Sequence, residues 1–393
     1  MMASSCHVCG ASNLSPLDGF ERLPRVTSDC RPFPSGGKLA VCGGCGAVVK
    51  PADATFLADI AAVYAEYDAY YQGGGSEQAV FDVASGATVR RSALLTARLD
   101  AALGGTLPAS GRAIDIGCGK GGFLRMLGER RPGWELYGLE LDDRNLEPLR
   151  TIPRFQELMT GDVDTFTGSF DLISMVHALE HLTAPRRTLG KLRGNISPGG
   201  VLFIQVPDLS ANPFDLVIAD HATHFTVASL DFLLRSAGWQ PLVIDSTWIP
   251  KEISVLAIPT QRSSGPIPSQ SRVATAHLIW LNAVMQVARS HAASCRPFGL
   301  FGTSIAATWL AGGLGDQLDF FVDEDQSRIG RTFLRKPVLA PQAAPAGATL
   351  FLGLAPVVAA SLASRLAHLD LRLIQPPSID AQQEGQQGAQ QMV

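Results

Sequence analysis

Residues 113–122 read Ala-Ile-Asp-Ile-Gly-Cys-Gly-Lys-Gly-Gly, and this stretch decides the fold. An apolar run ends in glycines at positions 117, 119 and 122, which formally satisfy the pattern G-x-G-x-x-G. Glycines at this spacing are typical of the tight turn between a buried β-strand and a helix, where the backbone approaches a nucleotide closely. By itself the pattern is also compatible with a nicotinamide dinucleotide.

Downstream of this turn, short β-type runs alternate with helical patterns. The alternation predicts βαβ units and a mostly parallel α/β sheet whose two faces are covered by helices. The predicted strands of the central part lie at residues 112–116, 135–139, 172–175, 201–206 and 240–247. A second, shorter βαβ set is predicted at residues 298–301, 318–322, 349–354 and 371–374.

Three acidic residues narrow the identity of the ligand. Asp115 lies two residues before the first glycine, where it can meet a cationic amine. Glu140 ends the next predicted strand, where it can accept hydrogen bonds from two ribose hydroxyls, and Asp162 lies at a later turn that can meet an adenine amino group. A ligand with a cationic amino acid, a ribose and an adenine, but no phosphate, suits these acids. S-adenosylmethionine is such a ligand.

Residues 112–247 resemble the class I S-adenosylmethionine-dependent methyltransferases. Besides the glycine turn, the resemblance rests on His-Ala-Leu-Glu-His-Leu at 177–182 and on Ser-Pro-Gly-Gly at 197–200. It implies a Rossmann-like α/β fold with a seven-stranded sheet. It also implies a methyltransferase, rather than a nicotinamide oxidoreductase or a non-catalytic binding protein. The cofactor-binding positions that it implies are Asp115, Gly117, Cys118, Gly119, Glu140, Leu141, Asp162, Val163 and His177.

Four of the seven cysteines form two C-x2-C pairs in a segment rich in Gly and Pro. They are Cys6, Cys9, Cys42 and Cys45, and glycines beside each pair permit the turn of a zinc knuckle. Four thiolates would saturate a tetrahedral Zn²⁺ ion, which predicts a structural rather than a catalytic site. The same cysteines as free or redox-active thiols are the alternative interpretation.

The whole chain resembles a narrower group, the C-methyltransferases that act on nucleotide-linked keto-deoxysugars. The resemblance implies the following organisation: a zinc-binding module with its connecting helix at 1–72, a methyltransferase domain at 73–258, a linker at 259–272, a C-terminal Rossmann-like α/β domain at 273–377 and a disordered, Gln-rich tail at 378–393. It also implies a nucleotide-sugar as the small-molecule substrate. Monomer and homodimer both stay open.

The catalytic group implied by this resemblance lies in Asp-His-Ala-Thr-His at 220–224. His221 is the expected base that removes a proton next to a ketone, with Asp220 orienting its ring; a substrate-orienting or a structural role is the alternative. His224 and His181 are further pocket residues that can instead be structural. Tyr70 or Tyr71 is expected to stabilise the enolate oxygen or else to pack in the core.

Two residues depart from that narrower group. Asp220 stands where we expect glutamate, and Ile218 stands where we expect tyrosine. The missing tyrosine weakens the enolate mechanism most, because the hydroxyl is expected to bind the oxygen on which charge develops. O- or N-methylation of a glycan precursor or another small molecule is therefore a serious rival to C-methylation.

Composition and charge limit the classes of partner that we expect for this protein. The formal net charge is −4 with a pI near 6.1, and a basic stripe is absent, which argues against nucleic acid as the main ligand. The longest apolar runs fall short of the roughly 18 residues of a membrane span. The N-terminus lacks a basic segment followed by an apolar core, so we expect no signal peptide and a cytoplasmic location.

Overall fold

We describe a computed structural model of the chain. The structure describes residues 5–68, 79–82, 87–105, 107–163, 166–263 and 271–379. None of the helices in these ranges is both long and apolar enough to cross a bilayer.

The N-terminal region is built from short strands around the two cysteine pairs. Asp53 begins its helix by accepting a hydrogen bond from the Phe56 backbone N–H at 3.0 Å, a standard N-cap. The elements are β1 (Leu14–Pro16), β2 (Arg25–Val26), β3 (Pro32–Phe33), β4 (Ala40–Cys42), β5 (Val48–Val49) and α1 (Ala54–Ala65). Strands β1, β4 and β5 pair antiparallel, and β2 pairs with β3.

Seven of the strands described in the central region form one sheet flanked by helices. Its elements are β6 (Ala79–Asp82), β7 (Ala87–Arg90), α2 (Arg91–Leu103), β8 (Arg112–Ile116), α3 (Gly122–Arg130), β9 (Glu135–Glu140), α4 (Leu146–Arg150), β10 (Phe155–Thr160), β11 (Phe170–Val176), α5 (Pro185–Leu192), β12 (Ile196–Pro207), β13 (Thr223–His224), α6 (Val227–Ala237), β14 (Trp239–Asp245) and β15 (Glu252–Pro259). The strand order is β10-β9-β8-β11-β12-β15-β14, and β15 runs antiparallel to both of its neighbours.

This order confirms the predicted Rossmann-like α/β sheet and explains its apolar runs. Ala113 of β8 packs into the hydrophobic core on one face, whereas Ile114 and Ile116 pack into the core on the other. Both faces are covered, so β8 is apolar almost throughout. The chain leaves β8 in one direction towards β9 and returns on its other side as β11, which creates a ligand crevice beyond the carboxyl ends of these strands.

The C-terminal region carries a second, six-stranded sheet. Its elements are α7 (Ser271–Ser294), β16 (Phe298–Phe301), α8 (Ile305–Leu314), β17 (Phe320–Val322), β18 (Thr332–Phe333), β19 (Lys336–Leu339), β20 (Ala348–Phe351), α9 (Pro356–Leu366) and β21 (Leu371–Ile374). The order is β18-β19-β17-β16-β20-β21, parallel except for the pair β18–β19.

The three regions share one interior. Strand β13 of the central region pairs with β5 of the N-terminal sheet, with Thr223 opposite Val49 and His224 opposite Val48. One hydrophobic core contains Phe20 from the N-terminal region and Trp309 from the C-terminal region. The indole N–H of Trp309 also donates to the Pro24 carbonyl at 2.7 Å. The N-terminal region thus packs against both of the others.

Candidate active site

A cavity of about 680 Å³ lies beyond the carboxyl ends of the central strands. All three regions contribute to its wall. The central region contributes the glycine turn after β8 and the segment after β11, the N-terminal region contributes the end of α1 and the loop around Ser28, and the C-terminal region contributes the beginning of α8. The cavity therefore connects the predicted cofactor turn with the predicted catalytic histidines.

The glycine turn is shaped for close approach of a ligand. Gly117 has a φ of +73°, and a Cβ at this position would lie 3.0 Å from the Ala178 Cβ. A side chain is therefore excluded both by the backbone conformation and by the neighbouring segment. The Gly119 N–H donates to Glu140 Oε1 at 2.6 Å, which fixes the carboxylate beside the turn.

Two acids in this part of the cavity have no cation close enough to form an ion pair within the described residues. Asp115 is buried and accepts a hydrogen bond from the Ser174 hydroxyl at 2.7 Å, yet burial raises its pKa to about 8. Burial also raises the pKa of Glu140, against the Gly119 N–H. Such carboxyl groups gain from a cationic ligand that restores their charge. The turn therefore fits the sulfonium and ammonium charges of S-adenosylmethionine.

Most of the predicted cofactor residues meet in the cavity wall. The residues that line it are Asp115, Gly117, Cys118, Gly119, Glu140, Leu141 and His177. Asp162 and Val163 follow the edge strand β10 and lie outside the wall that the described residues form. The 62% exposure of Leu141 at the rim leaves an apolar surface beside Glu140, of the kind on which an adenine ring packs.

His221 is oriented by Asp215 and not by the adjacent Asp220. The Nδ1 atom of His221 lies 2.7 Å from Asp215 Oδ1, and Nδ1 of His224 lies 2.7 Å from Asp215 Oδ2. Although burial alone would raise it, the two imidazoles hold the pKa of Asp215 well below its usual range. An ionised carboxylate only accepts hydrogen bonds, so each histidine donates from Nδ1. His221 lines the cavity, and its Nε2 atom takes no part in the contact with Asp215.

Asp220 pairs instead with His181, which corrects the expected Asp220–His221 pair. His181 Nδ1 lies 3.3 Å from Asp220 Oδ2, while Ser28 binds the same carboxylate through its N–H at 2.9 Å and its hydroxyl at 2.6 Å. Burial disfavours the imidazolium, but the Asp220 carboxylate raises the pKa of His181 to about 9. His181 is therefore an imidazolium at neutral pH, with its ring 4.7 Å from that of His221 and perpendicular to it.

His177 and Glu180 form a further polar pair on the cavity wall. His177 adopts a φ of +54°, an unusual backbone conformation for a non-glycine residue, directly after β11. Its Nδ1 atom lies 3.1 Å from Glu180 Oε1, and its Nε2 atom lies 3.4 Å from a Glu252 carboxylate oxygen. Glu180 is 1% exposed, and its second oxygen lacks a hydrogen-bond partner in the described chain. This oxygen remains available to a ligand.

The tyrosines at the cavity are Tyr64 and Tyr67. Tyr64 stacks edge-on against His181 at 6.3 Å between ring centroids, and Arg144 holds the backbone carbonyls of both tyrosines. Burial, with Asp220 nearby, raises the pKa of both phenols, so they are neutral donors. Tyr70 and Tyr71, for which this role was expected, lie outside the described residues.

The four predicted metal-binding cysteines come together. Cys6 Sγ lies 3.6 Å from Cys45 Sγ, Cys9 Sγ lies 3.5 Å from Cys42 Sγ, and all four sulfurs lie within 4.8 Å of one another. A tetrahedral ion with Zn–S bonds of about 2.3 Å separates its sulfurs by roughly 3.8 Å. The cluster therefore fits a closed four-thiolate site. His7 turns away, with Nδ1 3.3 Å from the Thr223 hydroxyl.

The C-terminal region contributes a cationic group to the far end of the cavity. Arg328 lines the wall together with the first residues of α8, Ser304 and Ile305. Its guanidinium donates to the Thr303 hydroxyl at 2.8 Å and lies 3.5 Å from Asp323 Oδ2. The guanidinium also lies 3.3 Å from Asp325, so two carboxylates share its charge.

Comparisons with known proteins agree on the central region. Residues 89–243 match the family model described as "Methyltransferase domain". The trans-aconitate 2-methyltransferase of Deinococcus radiodurans is 35% identical over 134 residues, which are 33% of this chain and 47% of that protein. The enzyme of the same name from Methylobacterium radiotolerans is 36% identical over 110 residues, 27% of this chain and 42% of that protein. The chain thus spans less than half the length of these two relatives.

Solved structures are also similar to part of the chain. An O-methyltransferase family protein from Burkholderia thailandensis aligns with a TM-score of 0.36 and 21% identity, covering 44% of this chain and 57% of that one. Human N-acetylserotonin methyltransferase aligns with a TM-score of 0.36 and 16% identity, covering 44% and 51%. The family match, the strand order and the acid-lined glycine turn lead to one conclusion. Residues 89–243 form a methyltransferase domain of the class I, S-adenosylmethionine-dependent type.

Proposed function

We propose that the protein transfers a methyl group from S-adenosylmethionine to a small molecule bound in the cavity. One observation carries the proposal: Asp115 and Glu140 line the same cavity as the oriented imidazole of His221. When bound, S-adenosylmethionine supplies an electrophilic methyl group on a cationic sulfur. Asp115 and Glu140 hold the ammonium and ribose groups, respectively, and the cavity wall excludes water from the reacting atoms.

Calorimetric titration with S-adenosylhomocysteine, and with NAD as the control ligand, tests this proposal. We expect micromolar binding of S-adenosylhomocysteine alone, and loss of that binding in Glu140→Ala. Glu147→Ala is the matched control, because Glu147 is 82% exposed and pairs only with Arg150 among the described residues. Absence of binding in folded wild-type protein would contradict the enzyme assignment and support a non-catalytic binding protein.

The finer proposal is methylation at carbon. His221 takes the proton from the carbon next to the acceptor's ketone onto Nε2, and the electron pair of that C–H bond forms the enolate that accepts the methyl group. A correctly placed base contributes about 10²–10⁴-fold to such a step. His181, as an imidazolium beside His221, and the neutral Tyr64 are the donors that can stabilise the enolate oxygen. They take the role expected of the tyrosine that position 218 lacks.

We propose a nucleotide-linked sugar as the acceptor, because the histidines and Arg328 line the same cavity. The sugar would meet the histidines, and its diphosphate would meet the guanidinium. Asp323 and Asp325 lie beside Arg328, so the phosphates must compete with these carboxylates for it.

Solvent deuterium exchange separates methylation at carbon from methylation at oxygen or nitrogen. A nucleoside-diphosphate-linked 4-keto-6-deoxyhexose is incubated with the protein and S-adenosylhomocysteine in D2O. We expect deuterium to enter the carbon next to the ketone with wild type and not with His221→Gln. Methyl transfer to a hydroxyl or amine acceptor without such exchange would support the rival O- or N-methyltransferase.

We also propose that the four cysteines hold a structural Zn²⁺ ion. Four thiolates leave no open position for a substrate, so the ion stabilises the N-terminal fold and takes no part in methyl transfer. Metal analysis of the purified protein tests this, and we expect about one zinc per chain. The domain ranges and the cytoplasmic location inferred from the sequence stay predictions.

A further inference from the structure

A lysine from the N-terminal region is buried beneath the catalytic histidines. Lys50 directly follows β5 and is 1% exposed. Its Nζ atom lies 2.7 Å from the Ile218 carbonyl oxygen, 3.1 Å from the His221 carbonyl oxygen and 3.0 Å from His224 Nε2. Three acceptors match the three N–H bonds of an ammonium group, which satisfies the buried cation.

These contacts extend to the candidate base through one carboxylate. Lys50 donates to His224 Nε2, so His224 carries its proton on Nδ1 and donates it to Asp215 Oδ2 at 2.7 Å. The other Asp215 oxygen accepts from His221 Nδ1, also at 2.7 Å. Each donor and acceptor in the chain Lys50–His224–Asp215–His221 is thereby defined, and all four side chains are buried.

These four hydrogen-bonded side chains also balance their charges. An ionised carboxylate between two neutral imidazoles leaves a buried negative charge, which one of the histidines could cancel by taking a proton. Lys50, while it is protonated, supplies the positive charge instead. Burial, together with Lys50, lowers the pKa of His224 to about 4, so this histidine stays neutral. Burial lowers the pKa of Lys50 to about 7, against the opposing effect of Asp215.

We propose that Lys50 is a positioning residue for the base: through His224 and Asp215 it keeps His221 neutral, with its proton on Nδ1 and Nε2 free to accept a proton. The inference rests on the proposed function of His221 as the base. Lys50 does not line the cavity that the described residues form, so it acts on the site only through other residues. The N-terminal region thus sets the protonation state of a group in the central region.

Other charged groups near these four side chains act on the same histidines. A shift of the His221 midpoint in a Lys50 variant must therefore be compared with a control variant that leaves these groups in place. These groups are Arg25 in β2, Glu180 and His181 after β11, Asp220 before His221, and His277 on α7.

The test follows the histidines of the full-length, zinc-loaded protein by ¹⁵N–¹H correlation spectra across pH, which distinguish the two neutral tautomers from the imidazolium. The His221 and His224 signals are assigned by loss in His221→Gln and His224→Gln. In wild type we expect the Nδ1–H tautomer at both residues. In Lys50→Met, loss of the neighbouring positive charge favours protonation, so the midpoint for His221 rises by about one pH unit or more, a tenfold gain in proton affinity.

Lys38→Met is the matched control, because Lys38 lies in the same region but its side chain is 69% exposed and pairs with Asp53. It should leave the His221 midpoint unchanged. If Lys50→Met does not fold, Lys50→Gln keeps an N–H donor without the charge and should shift the midpoint in the same direction. An unchanged midpoint in the folded Lys50 variant, or an Nε2–H tautomer of His221 in wild type, would overturn the proposal.

The same variants separate this inference from the proposed function. With the keto-sugar probe, Lys50→Met should move the rise of the exchange rate to higher pH and leave S-adenosylhomocysteine affinity within about twofold. A shifted His221 midpoint without exchange in wild type would uphold the role of Lys50 and contradict C-methylation. Deuterium exchange in wild type together with an unshifted His221 midpoint in Lys50→Met would support C-methylation and contradict the role of Lys50.

Discussion

At the scale of single residues, the cavity contains two kinds of carboxyl group. Asp115 and Glu140 are not paired with a described cation, and burial raises the pKa of each. Asp215 and Asp220 are fully buried, but histidines hold the pKa of each below its usual range. The first pair is open to a ligand, whereas the second pair is already engaged by histidines.

Replacement of Gly117 by alanine should damage the cofactor turn. The positive φ disfavours a side chain by about 1–2 kcal/mol, and the new Cβ would lie 3.0 Å from the Ala178 Cβ. We expect Gly117→Ala to lower the free energy of unfolding and to weaken S-adenosylhomocysteine binding at least tenfold. Urea unfolding and calorimetry measure the two effects.

Gly199→Ala is the control for that prediction. Gly199 has a φ of +80°, and a Cβ there would meet no atom within 4 Å. Gly199→Ala should lower the free energy of unfolding through the backbone conformation alone. It should not weaken S-adenosylhomocysteine binding. Equal loss of affinity in the two variants would contradict the role that we give to the turn after β8.

The His181–Asp220 pair should stabilise the protein in a defined pH window. The pKa of His181 is raised from 6.5 to about 9, so the stabilisation is fully present below pH 6.5 and is lost as pH rises through 9. Such a shift corresponds to at most about 3 kcal/mol. We expect the stability difference between wild type and His181→Gln to shrink by that order between pH 6.5 and pH 9.5, as measured by urea unfolding. A difference that does not vary with pH would show that His181 is neutral.

At the residue level, the sequence could place a side chain where a local motif fixes its position. The glycine turn places Asp115, and the end of the next parallel strand places Glu140, so both reach the cavity as predicted. Asp215 was missed because it lies in a 3-10 turn within the apolar stretch Pro213–Val217, where its spacing from His221 carries no pattern. Neighbouring positions in sequence suggested Asp220, but its side chain points to Ser28 and His181.

At the scale of elements, the site depends on two short pieces of β-structure. Strand β5 contains two residues, and so does β13, but their pairing places Lys50 beside His224. The knuckle that carries Cys42 and Cys45 lies directly before β5. The cysteine cluster and the contacts beneath His221 are therefore joined by a few residues of backbone.

Removal of the metal should destabilise the whole protein. A structural zinc site contributes several kcal/mol, and 1 kcal/mol moves the midpoint of thermal unfolding by about 2–4 °C for a domain of this size. We expect Cys45→Ser, or treatment with a chelator, to lower that midpoint by at least about 5 °C and to release zinc. Cys295→Ser is the control, because Cys295 is partly exposed and lies after α7, away from the cluster. Equal effects of both variants would argue against a metal at the cluster.

The sequence predicted the bounds of two largely buried strands without error. The predicted range 112–116 coincides with β8, and 298–301 coincides with β16. Strand β10 escaped prediction because it lies at the sheet edge, where half-exposed residues mix Gln, Glu and Thr with Phe and Leu. Strand β15 runs against its neighbours after a short connection, so no helix separates it from β14 to indicate it.

At the scale of the whole molecule, the cavity is a property of three regions together. The central sheet supplies the cofactor turn, the N-terminal region supplies Ser28 and Tyr64, and the C-terminal region supplies Arg328. Sequence composition could separate the regions but could not show that they close around one space, because their contacts join residues hundreds of positions apart. The pair Trp309–Pro24 is an example.

Loss of Arg328 should affect only the acceptor. If the acceptor carries a diphosphate, Arg328→Gln should raise its KM about tenfold or more, since a charged hydrogen bond contributes about 1.5–3 kcal/mol. The affinity for S-adenosylhomocysteine should not change. Arg365→Gln is the control, because Arg365 is 59% exposed and pairs with Glu324 outside the cavity wall. An unchanged KM would contradict the nucleotide-linked acceptor.

The pairing of β5 with β13 has a consequence for exchanging parts between related proteins. A chimaera that takes its N-terminal region from one parent and its central region from another must match Lys50 from the first with His224 and Asp215 from the second. Under the proposed role of Lys50, a junction that loses this match should alter the protonation of His221. The contact between Lys50 and His224 is therefore one of the contacts that the two parents must share.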